Sequence, residues 1–399
     1  METRFSCEGK KYYPRLSDNE FKRRHRRIRE AMVKRDLDCL ILAGSEGYSN
    51  GFGVNYVSNY PRTGFVVFPL EGDPTLAVPI NISCHLPNVR AVSVIKDIRS
   101  TIAGAGPVVV ERIRELGLEK KGIGITVSEL FGSGHTIPLG FYNYLGENLP
   151  EARLELLNAD FLVNIWLIKS SEEIRFFEKA AEICDLAMER AVKTVKPGVK
   201  EYEVAAAMKH EILRKQGEVA FVMVGGTSMA DPALSFPNWI PPARRFQKGD
   251  IFINEVGARY GGLEAQNGKP MTLGEPTNRY KDFYENIVLK TFEQIVEALK
   301  PGNTLKEIQK TGSTMAKAGY QAAAPLVHGV GITQDIPFVF PSFAIPTDDF
   351  KLQPNMMLVP EVNPQTPDGR FGVFLGDTYV ITQDGARRLN KYPLELTII

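Results

Sequence analysis

Glu255, Gln266, His328 and Glu361 are the side chains whose types and placement could together do chemistry. Each of the two acids ends an apolar alternation. In "DIFINE" the residues Ile251, Ile253 and Glu255 fall on one face of a strand, and in "MLVPE" Met357, Val359 and Glu361 do the same. A carboxylate turned toward a core is costly unless it is paired, protonated or set against a cation. One such acid reads as a structural ion pair or a strand end near solvent, whereas two at matching places imply a shared polar pocket. His328 follows an apolar run in "PLVHGVGITQDIP", where Gly329 and Gly331 let the backbone turn tightly or approach a ligand. An imidazole beside two acids can shuttle a proton. Opposed carboxylates drive their pKa values apart, which splits the roles of base or nucleophile and acid between Glu255 and Glu361. Gln266 and Asn267, just beyond the Gly261-Gly262 turn, add amide groups suited to a neutral polar substrate.

These residues need two strand hairpins to carry them, and the second part of the chain supplies both. Lys196-Pro197-Gly198 and Lys300-Pro301-Gly302 each end one helix and open the next, and Gly217 and Gly319 are expected to end those next helices. Each pair is followed by two strands joined by a turn, so residues 172 to 399 read as two copies of helix–helix–hairpin around one antiparallel sheet, with a cleft where the halves meet. The preceding residues alternate strands and helices. "CLILAG", "GFVVFP" and "PTLAVP" are apolar strands and "GPVVVERIRELG" is helical, which predicts an α/β domain with a mixed sheet. The composition changes near Asn158, and the expected domains are 1–160 and 161–399.

Bulk properties exclude several classes. The 399 residues carry a net charge of +1, so no global field favours nucleic acid or an anionic membrane. No stretch reaches the roughly 18 unbroken apolar residues of a membrane helix, and "METRFSCEGKKYYPRL" has no apolar signal core. Cys7, Cys39, Cys84 and Cys184 are widely spaced, consistent with a reduced, cytoplasmic chain. The basic run "KRRHRRIRE", after the capping pattern "SDNE", is read as a solvated helix face rather than a nucleic-acid patch.

The segments "IKSSEEI", "KPGVKEYEV", "GDIFINEVGARYGG", "HGVGI", "LVPEVNP" and "GDTYVIT", in this order between about residues 165 and 388, resemble the creatinase/aminopeptidase P family. The first 160 residues resemble that family's N-terminal α/β domain. The resemblance implies a creatinase-like N-terminal domain and a pita-bread C-terminal domain of α+β class. It also implies a five-ligand, two-metal set of Asp, Asp, His, Glu and Glu in the family's metallopeptidases. This chain has Glu255, Gln266, His328, Glu361 and Gly376 at those places, so one ligand is neutral and one is missing. Two divalent ions need more anionic oxygens than remain. The resemblance therefore leans toward the family's metal-free branch, which includes creatinase and ectoine hydrolase, and the expectation is no metal cofactor. A single divalent ion on Glu255, His328 and Glu361 is the alternative.

Two histidines of the family's peptidases are replaced by Asp335 and, by spacing, Ala233, and an arginine of creatinase is replaced by Ala323. The expected function is thus a metal-independent hydrolase of a C–N bond in a small, polar, non-peptide molecule such as an amidine. Glu255, His328 and Glu361 would be catalytic, and Gln266, Asn267 and Asp335 would bind substrate. Arg62, in "NYPRTGFVVF", resembles an arginine that creatinase extends into its partner's site, which implies a homodimer with the N-terminal domain capping the neighbour's cleft. The alternatives are an Xaa-Pro metallopeptidase with a divergent single-metal site, a non-catalytic binding protein of the same fold, and a metal-dependent C–S lyase.

Overall fold

The computed structural model describes residues 13–44, 52–126, 128–130, 134–332 and 334–399. Two compact units divide the chain, Met1–Trp166 and Leu167–Ile399.

The first unit is built on a six-stranded sheet in the order Asp97–Ser100, Thr75–Val78, Gly64–Pro69, Cys39–Gly44, Gly122–Thr126, Arg153–Leu157. It is mixed, as expected: Cys39–Gly44 runs antiparallel to Gly64–Pro69 and parallel to Gly122–Thr126. Cys39, Ile41, Ile123 and Ile125 bury one face of it against Val109, Val110 and Ile113 of the helix Ala105–Glu115. Ser17 caps the helix Asp18–Lys34, accepting the Glu20 N–H at 3.2 Å. The solvated reading of "KRRHRRIRE" holds for Lys22 and Arg26 but not for Arg24, which is 2% exposed. Arg24 donates to the Tyr56 carbonyl at 3.0 Å and to Glu20 at 3.2 Å, and its guanidinium lies 4.3 Å from the Tyr56 ring centroid. A planar, weakly hydrated cation can be buried when its donors and its face are both occupied.

The second unit repeats one plan twice. Ser171–Thr194 and Glu201–Arg214 precede the strands Glu218–Ser228, Asp250–Tyr260 and Leu263–Gly268; Asn278–Ala298, whose middle turns Tyr284–Leu289 are π-helical, and Leu305–Thr311 precede Val327–Val330, Gln334–Val339, Met357–Val362 and Leu375–Asp377. The repeat extends to single hydrogen bonds. Gly198 and Gly302 have φ of 93° and 87°, conformations that glycine adopts without steric cost. Gly198 donates to the Phe246 carbonyl at 2.8 Å, and Gly302 to the Leu352 carbonyl at 2.9 Å. Glu203 and Glu307 then accept the Lys200 and Thr304 N–H groups at the starts of the following helices. The expected stops differ between halves: Gly319 has φ of 86°, but in the first half the left-handed residue is Gln216, with φ of 60°.

The strands of both halves merge into one sheet. Its centre runs Val327–Val330, Met357–Val362, Leu375–Asp377, Leu263–Gly268, Asp250–Tyr260, all antiparallel. The helix Ser171–Thr194 covers one face, where the Cys184 thiol donates to the Ala265 carbonyl at 3.2 Å and Asp185 accepts from Asn267 at 2.7 Å. The opposite face carries the even-numbered residues of Leu263–Gly268. This is the pita-bread architecture expected from the sequence, preceded by an N-terminal α/β unit.

Candidate functional site

Five adjacent strands bring His328, Glu361, Gly376, Gln266 and Glu255 side by side in that order. The register sets Gly376 opposite both Glu361 and Gly268, and Gly257 opposite Gln266. Glu255, Glu361, Gln266 and His328 are each no more than 3% exposed.

His328 joins the halves. Its Nε2 lies 2.6 Å from Glu361 Oε1 and 3.2 Å from Gln266 Oε1, and its Nδ1 lies 2.8 Å from the Gly329 carbonyl. A carbonyl can only accept, so Nδ1 carries the hydrogen and Nε2 is the nitrogen turned to the acids. Burial works against charge on His328, but Glu361 and the Gly329 carbonyl outweigh it and the imidazole pKa is raised. Glu255 is different. Among the described residues no hydrogen bond reaches its carboxylate; burial, with the charges of Glu361 and Glu264 added, drives its pKa well above the ordinary carboxylate value.

Gln266 is oriented from behind by a pair that the sequence analysis did not single out. Its Nε2 donates to Glu264 Oε1 at 2.9 Å, and Glu264 Oε2 pairs with Arg259 at 2.7 Å. The signal was present: Glu264 stands two residues before Gln266 and so shares its face.

The other expected binding residues are placed differently. Asn267 neighbours Gln266 along the strand, so its side chain emerges on the helix-covered face. There it joins Asp185, Lys269, Asp377 and Asn390; Lys269 Nζ donates to Asn267 at 3.0 Å, to the Gly376 carbonyl at 2.9 Å and to Asp377 at 2.6 Å. Period-two alternation excludes Gln266 and Asn267 from one pocket, which corrects the expectation that both bind substrate. Asp335 is buried opposite Gly329 and accepts from the Ile336 N–H at 2.9 Å. Arg62 lies exposed in the first unit, on the turn ahead of Gly64.

The donor chemistry suits one cation. Glu255 and Glu361 supply anionic oxygens, Gln266 Oε1 a neutral one, and His328 Nε2 a nitrogen whose ring is held by a carbonyl on its other side, a frequent support for a metal-bound imidazole. The buried carboxylate of Glu255, facing like charge without a hydrogen bond, is the group a cation would relieve. As the side chains stand, no three His, Cys, Asp or Glu among the described residues are placed to hold an ion, and His328 and Glu361 are in contact with each other. Gly376 offers no side chain to a second ion. The Phe374 ring lies over Gly268 and Gly376, so that a Cβ on Gly268 would overlap it and one on Gly376 would come within 3.0 Å of it.

The profile of metallopeptidase family M24 matches residues 175–383, just over half of the chain. The Xaa-Pro dipeptidase of Pyrococcus furiosus is 30% identical over 241 residues, 59% of this chain and 67% of its own length. The Xaa-Pro dipeptidase of Pyrococcus horikoshii is 29% identical over 295 residues, 72% of this chain and 76% of its own length. The crystal structure of the prolidase from Pyrococcus horikoshii OT3 superposes with a TM-score of 0.74 at 26% identity, covering 94% of this chain and 99% of that one. These findings correct two expectations. Relatives named as dipeptidases overturn a hydrolase of small non-peptide C–N substrates, and a match to a metallopeptidase family overturns the absence of a metal cofactor. Ligand counting misled because it weighed the loss of charge at Gln266 and Gly376 above the three donors that stay together. By its matched profile, its strand order and its buried acid–imidazole cluster, the chain belongs to metallopeptidase family M24.

Proposed function

We infer that this protein hydrolyses a peptide bond in a short Xaa-Pro type substrate, with a single divalent ion held by Glu255, His328 and Glu361. The observation that carries the reading is the convergence of two buried acids and His328 Nε2 on one face of the sheet, with Glu255 lacking any hydrogen bond among the described residues. When bound, such an ion supplies Lewis acidity to a carbonyl and acidifies water. The chain's own residues do the rest. Burial favours the neutral form of Glu255, and the charge of the ion would favour the ionised one, whose carboxylate then serves as acceptor for the proton of the attacking water, since no fixed hydrogen bond among the described residues competes for its oxygens. The Gly329 carbonyl holds the His328 ring so that Nε2 faces the reaction. Gln266 Oε1 offers a neutral acceptor. Burial of all four side chains excludes bulk water, which strengthens each polar contact with the substrate.

The departures from the family's pattern at Asp335 and Ala233 bear on which peptides are accepted. The same reading includes a homodimer in which Arg62, exposed in the first unit, meets a substrate carboxylate in the neighbouring copy, a task for which a guanidinium's two parallel donors suit it.

The test is hydrolysis of Xaa-Pro dipeptides after chelation and after return of manganese, cobalt or zinc, with metal content measured on the same samples. Activity that disappears with chelator and returns with about one ion per chain is expected. Activity indifferent to chelator, or none on any dipeptide with any of the three metals, refutes the reading.

A further inference from the structure

Arg259 and Glu264 stand directly opposite each other on neighbouring strands, with Glu264 fully buried. Both also reach across to the second half of the unit. The Glu264 N–H donates to the Gly331 carbonyl at 2.8 Å, and Arg259 Nε donates to the Ile332 carbonyl at 2.8 Å. The pair thus ties the hairpin that bears Gln266 to the loop that leaves His328. Its carboxylate has a second task. Glu264 Oε1 receives Gln266 Nε2 while Glu264 Oε2 faces the guanidinium. An ionised carboxylate can only accept hydrogen bonds, so the amide nitrogen of Gln266 must face it and the amide oxygen must face His328.

We propose that Glu264, held by Arg259, is a positioning residue that locks the Gln266 amide with its oxygen, not its nitrogen, toward His328 and the acid pair. The orientation matters because an amide is nearly symmetric in shape and opposite in function at its two ends. Turned over, Gln266 would present N–H donors where its oxygen now faces the site, and would offer nothing to a cation or to a water's proton. An Asp or Glu at this position would need no such lock, since both of its ends are oxygen. The Arg259–Glu264 pair is what allows a glutamine to serve there. Its effect on turnover rests on the peptidase reading above; the lock itself does not.

Two measurements separate these levels. In the full-length chain with ¹⁵N-labelled glutamine side chains, the Gln266 amide is identified by its loss in Gln266→Glu. It should give two distinct, slowly exchanging proton signals. Glu264→Gln should speed their exchange with water and move them toward the shifts of an exposed glutamine, and Arg259→Lys should keep them. Distinct signals that persist unchanged in Glu264→Gln overturn the inference whether or not the protein is a peptidase. In the kinetic arm, Glu264→Gln is expected to lower kcat on an Xaa-Pro dipeptide by about 10- to 100-fold, the usual effect of removing an outer-shell partner, with little change in KM. The exchanged pair Glu264→Gln/Gln266→Glu, in which oxygen faces His328 either way up, should recover to within several-fold of the parent. A double variant as impaired as Glu264→Gln overturns the lock as the cause. If Glu264→Gln does not fold, Glu264→Asp, whose shorter carboxylate withdraws from Gln266, carries the same comparison.

Discussion

His328 Nε2 lies 2.6 Å from Glu361 Oε1, on neighbouring antiparallel strands of the second half, while the same nitrogen lies 3.2 Å from Gln266 Oε1 of the first half. One imidazole therefore closes the cleft between two copies of the same structural plan. Glu361→Gln keeps the size of the side chain and removes its charge. It is expected to lower kcat by at least about 100-fold, the scale of a lost acid–base group. It should also weaken manganese binding in calorimetry. Unchanged turnover and unchanged affinity would separate Glu361 from the site.

On the opposite face, Lys269 is buried against Asp377 at 2.6 Å, and Asp377 also receives Arg388 at 2.7 Å. Lys269→Met leaves a buried carboxylate with one partner and frees the Gly376 carbonyl. The expected cost is roughly 3–5 kcal/mol in urea unfolding. Adding Asp377→Asn should cost less than the sum of the two single changes, because the pair is removed together. Strict additivity would show that the two groups are not coupled.

Gly268 packs under the Phe374 ring, and an added Cβ would overlap it and lie 2.9 Å from the Asn254 carbonyl. Gly268→Ala is expected to destabilise by about 1–3 kcal/mol through overpacking. Phe374→Leu in the same chain should return part of that loss, which thermal unfolding would read. If the second change deepens the loss, the ring is not what the methyl meets.

Glu201 is buried beside Arg244 and Asp250, accepting the Gly226 N–H at 3.1 Å. Burial pushes its pKa up to about 7, against the pull of Arg244 and Gly226 and with the push of Asp250. Between the ordinary carboxylate value and about 7 the folded chain holds a proton that the unfolded chain has released. Stability contributed by this group is therefore present below the unfolded pKa and falls as pH rises through that window. Glu201→Gln should flatten the decline in unfolding free energy between about pH 4.5 and 7. A slope identical to the parent's would assign the effect elsewhere.

Parts of this molecule were legible before any coordinates. The strands Cys39–Gly44 and Gly64–Pro69 coincide with "CLILAG" and "GFVVFP", because continuous apolar runs between turn residues admit few other conformations. Gly198 and Gly302 were readable as matched helix stops, and their left-handed backbones give the reason. The alternation that turned Glu255 and Glu361 inward was equally direct, since it follows from backbone geometry alone. Arg24 was not legible: its carbonyl and aromatic partners come from Tyr56, far along the chain. Asn267 was misplaced because the same alternation, applied one residue further, sends it to the helix.

By itself, the sequence determined which residues face inward and that two similar halves exist, because periodicity and turn chemistry are local properties. Only the tertiary structure decided which of those residues meet. Strand order set His328, Glu361, Gln266 and Glu255 side by side, placed the Phe374 ring over Gly268 and Gly376, and gave Gln266 the Glu264–Arg259 support that orients it. Those outcomes depend on register between segments up to about a hundred residues apart, and register is fixed by packing across the whole sheet rather than within any one strand.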